Sequence, residues 1–127
     1  MEKDLKDILL KDLCARLPYG VKVESVFINP DTKEHKSCGI EVFNATSLLM
    51  IRDGLGEFKP YLFPISSMSE EKIEELLDIV IPTNNGSGVI EESNIGKYMD
   101  WCYKNHFDYI GLIEKGLAID ATGLNIY

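Results

Sequence analysis

Between Val21 and Pro64 the chain is cut into strand-length pieces by turns of only a few residues. Parallel neighbours need a crossover of about a dozen residues or more, so pieces joined this tightly pair antiparallel. Val21, Val23 and Phe27 interleave with Lys22 and Glu24, and Asn29-Pro30-Asp31-Thr32 then turns the chain. Cys38, Ile40 and Val42 alternate with Gly39 and Glu41. Asn44-Ala45-Thr46 reads as a short reversal and Ser47–Ile51 as a more buried strand. Tyr61-Leu62-Phe63 sits between Pro60 and Pro64, which places it near a sheet edge because proline cannot donate to a ladder. That edge is where self-association into a homo-oligomer would start.

Such a sheet needs helices to cover it, and three segments have helical spacing. Leu5, Ile8, Leu9, Leu13 and Leu17 predict a first helix from Asp4 to about Arg16, stopped by Pro18 and Gly20. Glu2→Lys6, Asp7→Lys11 and Asp12→Arg16 are acid-before-base pairs on its face. Ser69 caps a second helix whose stripe is Ile73, Leu76, Leu77 and Val80, ending at Pro82. Ile95, Tyr98, Met99 and Cys102 predict a third, from about Ser93 to Asn105. Asp108 then caps a short helix from Tyr109 to Lys115, closed by Gly116, and Leu117–Ile119 forms a last strand. The segment 83–88 reads as a flexible loop inside one compact domain spanning 1–127. The fold class is α+β: an antiparallel sheet of about four strands with three main helices packed on it. The expected core takes Leu9, Leu13, Val23, Ile40, Val42, Leu49, Ile51, Leu62, Leu76, Leu77, Met99, Leu112 and Ile113.

Charge narrows the function classes. The net charge is −8, and residues 66–95 hold seven of the acids against Lys72 alone. No basic stripe exists to neutralise phosphates, which disfavours direct nucleic-acid binding. No apolar run approaches the ~20 residues of a membrane helix. The start Met1-Glu2-Lys3-Asp4 has no signal-peptide character. Three widely spaced cysteines, Cys14, Cys38 and Cys102, predict reduced thiols in a cytoplasmic protein.

The residues that carry chemistry crowd into the last third. Cys102 and His106 are four apart, the spacing of a thiolate–imidazole pair or of two metal ligands. Zinc would need further ligands, and Cys102 lies on the apolar stripe of its helix, so no metal or cofactor is expected. His106 and Asp108 could serve as base and orienter, but Asp108 is accounted for as a helix cap. Trp101, Tyr98, Tyr103 and Tyr109 form an aromatic group of the kind found in helix–sheet packing and at interfaces. On the second helix, Glu70 lies above Glu74 and Glu71 above Glu75, a repulsion that a basic partner would relieve.

Three blocks carry a family resemblance: Leu9–Lys22; Lys59–Leu62 with Pro64 and Ser66–Glu71; and Asp100-Trp101 with His106–Tyr109 and Gly111–Ala118. Together they resemble a family of short uncharacterised proteins from gut anaerobes and their phages or other mobile elements. The resemblance spans most of the chain and implies no assigned activity. Similar sequences carry Arg where this one has Phe63 and Ile110, so an anion site built on those two positions would be lost here.

The reading is a small cytoplasmic accessory protein that binds another protein. Its candidate contact residues are Trp101, His106, Tyr109, Glu70, Glu71 and Glu74. The alternative is a small hydrolase or thiol enzyme using His106, Asp108 and Cys102.

Overall fold

The computed structural model describes residues 2–80 and 92–127. The expected loop at 83–88 lies outside them. The architecture is α+β, with helices packed on a mixed sheet in the order β2-β1-β3-β4 and with β5 also paired to β3.

Helix α1 (Glu2–Arg16) follows the predicted stripe. Leu13 is wholly buried, and Ile8, Leu9 and Leu17 pack around the same cluster. A tight turn at Leu17–Tyr19 ends it, and Gly20 takes the left-handed conformation that closes such ends without a Cβ penalty. Asp12 and Arg16, one of the acid–base pairs read from the spacing, are both buried. They adjoin Leu9 and Leu13 on the helix surface, so packing the apolar stripe takes them inside as well.

Strands β1 (Lys22–Ile28) and β2 (His35–Val42) form an antiparallel hairpin. Asn29 Oδ1 accepts from the N–H groups of Asp31 and Thr32 and shapes its turn. Cys38 is the extra residue of a bulge, between the pairs Ser25↔Gly39 and Val26↔Ser37, and Gly39 supplies the positive φ of 84°. β2 is exposed throughout at the sheet edge. Ile40 and Val42 are 54% and 49% exposed, not in the core. The pairs Glu24↔Ile40 and Lys22↔Val42 place them on the face opposite buried Val23.

Ser47–Ile51 is not a strand but part of helix α2 (Ala45–Arg52). Asn44 Oδ1 accepts from Ser47 N–H at 3.2 Å, and Ser47 Oγ accepts from Asn44 N–H at 3.2 Å. This reciprocal cap decides a short apolar run that has no period of its own. Leu49 faces solvent, while Leu48, Met50 and Ile51 pack inward.

Strand β3 (Gly56–Pro64) is central rather than an edge. It pairs antiparallel with β1 up to Val23↔Pro60, so the missing proline N–H falls at the end of that ladder. Beyond it, β3 pairs in parallel with β5 (Ile119–Asp120) through Tyr61 and Leu62, and with β4 (Phe107–Asp108) through Phe63 and Pro64. These two short parallel contacts make the sheet mixed.

Helices α3 (Glu70–Val80) and α4 (Glu92–Lys104) pack on each other, and Ser69 Oγ caps α3 by accepting from Lys72 N–H. Leu77 is exposed, not core, whereas Leu76 packs inward. Residues 109–116 form turns instead of the expected short helix. Gly111, at φ 81°, interrupts any helical run there.

Candidate functional site

Where α4 ends, the chain bends sharply into β4. Asn105 N–H donates to Trp101 O at 3.0 Å, and its side-chain amide donates to the same carbonyl at 2.9 Å. His106 then adopts φ 65°, a conformation usually left to glycine. Its carbonyl accepts from Phe63 N–H at 2.8 Å, which starts the parallel contact with β3. The bend delivers three aromatic groups and a carboxylate to one corner.

Trp101 is 5% exposed. Its ring lies parallel to Phe107 at 5.3 Å, and its N–H donates to Glu75 Oε1 at 2.9 Å. Trp101 therefore supports the corner from beneath and ties α4 to α3. In the free chain little of its ring reaches the surface. Tyr109 is half-buried, with its hydroxyl 3.2 Å from that of Tyr103. Burial and that neighbour push the Tyr103 phenol well above its usual range.

His106 stacks on Tyr127, ring centroids 3.8 Å apart and 11° from parallel. Burial, with the positive charges of Arg16 and Lys22, pushes its pKa down to about 4, so the imidazole is neutral near pH 7. Its Nδ1 is buried without a hydrogen-bond partner among the described residues. Asp108 uses both carboxylate oxygens on backbone, accepting from Leu112 N–H at 2.7 Å and Ile113 N–H at 2.9 Å. The expected capping role is real, although it closes a turn and not a helix. Cys102 is fully buried, and burial pushes its thiol up.

The alternative reading needs a base poised near neutral pH, a carboxylate free to orient it and an accessible nucleophile. In this geometry the imidazole is strongly depressed, the carboxylate is occupied and the thiol is sealed. Among the described residues, no group of three or more His, Cys, Asp or Glu side chains could hold a metal ion. Among the described residues, no helix is long and apolar enough to cross a membrane.

The Asp12–Arg16 pair was legible from its spacing, but its burial and its reach to Phe107 were not. Arg16 Nε donates to Asp12 Oδ2 at 2.7 Å, and Nη2 donates to Phe107 O at 2.6 Å. The guanidinium lies 5.1 Å from the centre of the Tyr103 ring. Burial pushes the Asp12 carboxyl up, against the pull of Arg16. The pair thus locks α1 to the corner. Its position beside Leu9 and Leu13 was the available signal.

The acidic surface lies on α3. Glu70, Glu71, Glu74 and Asp78 are exposed. Lys72, the one base of this helix, turns to Asn105 Oδ1 at 3.0 Å and lies 3.7 Å from Glu75. Ile73 and Leu77 are 43% and 45% exposed among the acids. A shallow hollow of about 410 Å³ separates this helix from the corner, lined by Ser69, Lys72, Lys104, His106 and Tyr127 among others. A larger groove of about 750 Å³, lined in part by Leu9, Leu10, Val26 and Ile28, shares no residue with it.

Compared with known proteins, the chain matches no family model, no curated protein and no solved structure.

Proposed function

We propose that this chain is a small cytoplasmic accessory protein that works by binding another protein. The observation that carries the reading is the exposed face of α3, where Glu70, Glu71 and Glu74 flank uncovered Ile73 and Leu77. Scattered surface leucines are ordinary, but an apolar ridge beside a one-sign charged stripe matches a protein partner better than water. The neighbouring corner adds half-buried His106 and Tyr109 as a second contact area. The three sequence blocks resemble short uncharacterised proteins of gut anaerobes and their mobile elements, a resemblance that implies no assigned activity. The occupied Asp108 and sealed Cys102 favour binding over hydrolytic or thiol chemistry.

The test is capture from cognate lysate at low and high salt, with crosslinks mapped by mass spectrometry. A partner crosslinked to α3 or to the corner supports the reading. Recovery of nothing above background at either salt would sink it.

A further inference from the structure

We infer that the occupant of α3 is a basic amphipathic helix of another protein, lying along the Ile73–Leu77 ridge. This inference rests on the binding reading above and names its partner by chemistry. Ile73 and Leu77 are one helical turn apart and form a line along the axis. Glu70 and Glu74 each precede one of them by three residues, so the acids form a second line directly beside the first. At about 1.5 Å per residue, the eleven residues of α3 run roughly 16 Å, and the Ile73–Leu77 ridge takes up about 6 Å of it.

Shape and charge together select the occupant. A helix surface has its backbone groups already paired, so it offers no edge to an extended peptide. It does offer ridges and grooves that a second helix fills with apolar residues at i and i+4. The ionised groups on the exposed face, Glu70, Glu71, Glu74 and Asp78, are all acidic, because Lys72 is turned towards Asn105. A second copy of this chain would bring acid against acid, and phosphates would be repelled in the same way. Lysine or arginine flanking an apolar stripe meets both lines at once.

The experiment titrates the full chain with a synthetic Leu/Lys peptide of helical amphipathic order. Its controls are a shuffled peptide of the same composition and a Leu/Glu counterpart. Binding is read by anisotropy and by amide chemical shifts. The ordered basic peptide should bind saturably with shifts centred on α3, and the shuffled peptide at least about tenfold more weakly. Two variants at exposed positions, Ile73→Ser with Leu77→Ser and Glu70→Lys with Glu74→Lys, should each weaken binding by about tenfold or more. Equal binding of the shuffled peptide would reduce the surface to bare charge and overturn the inference. So would unchanged binding by the serine variant, shifts centred elsewhere, or no binding at all. A dimer of the free chain that is lost in the serine variant would name a second copy as occupant instead. Contacts from residues 81–91 to Ile73 in the free chain would name the chain itself. A lysate partner crosslinked only to the His106 corner would leave the general reading standing while this inference fails.

Discussion

The hydroxyl of Tyr127 bridges β1 and β3 where their own ladder stops, while its ring covers His106. It accepts from Lys22 N–H at 2.8 Å and donates to Tyr61 O at 2.7 Å. Lys22 Nζ in turn donates to Ile126 O. Tyr127→Phe keeps the stack on His106 but leaves both backbone groups without this partner. The expected loss is about 1–2 kcal/mol. Tyr127→Ala, which also removes the ring contacts with His106 and Phe63, should cost more. Urea midpoints of the two variants check the order, and a Phe variant as stable as the parent would refute the bridge.

His106 gives the stability a pH dependence of definite sign. Its ordinary value is 6.5 and its folded value about 4. The unfolded chain therefore holds the extra proton first as pH falls. The stabilisation is intact above about pH 6.5 and is lost progressively down through pH 4. Allowing for partial solvent contact of the ring, the loss is of the order of 2 kcal/mol. His106→Asn tolerates the same positive φ but does not titrate there. The difference in stability between parent and variant should narrow as pH drops from 7 to 4. A gap that stays constant across that range would show that the imidazole does not carry the effect.

Asp12 and Arg16 form a buried pair in which each partner justifies the other. Arg16→Met leaves an unpartnered carboxylate beside the core, and about 3–5 kcal/mol of destabilisation follows. Adding Asp12→Leu removes the stranded charge and should recover a good part of that loss. Thermal melts of the two variants measure this coupling. Equal stability of the single and double variants would mean that the pair is not buried in solution.

The helices α1, α3 and α4 were legible because their apolar residues repeat with one clear period. The mode of pairing between β1 and β2 was legible for a different reason, the brevity of the turn at Asn29–Glu34. The misses share a cause: each depended on what a residue meets far away in sequence. Leu48-Leu49-Met50-Ile51 has no period, so its state was set by the Asn44–Ser47 cap. Pro60 pointed to an edge, but its missing donor falls where β3 exchanges one neighbour for others. Ile40 and Val42 alternate as core residues do, yet they stay about half exposed on edge strand β2. Within the site, the Asp108 cap could be read locally. The Trp101–Glu75 bond and the Arg16–Phe107 contact could not, since they join segments 26 and 91 residues apart.

The three thiols should separate sharply in reactivity, and this bears on whether any thiol chemistry exists here. Cys14 and Cys38 are exposed, and Cys102 is buried. The thiolate is the reactive species, and burial disfavours it at Cys102. A maleimide reagent on the native chain should therefore modify Cys14 and Cys38 promptly, and Cys102 only after denaturant is added. Mass spectrometry of the digested chain assigns each site directly. Rapid native labelling of Cys102 would show that the α4 corner opens in solution and would bring back the thiol-enzyme reading. Labelling confined to Cys14 and Cys38 leaves the Cys102 thiol unavailable as that reading's nucleophile.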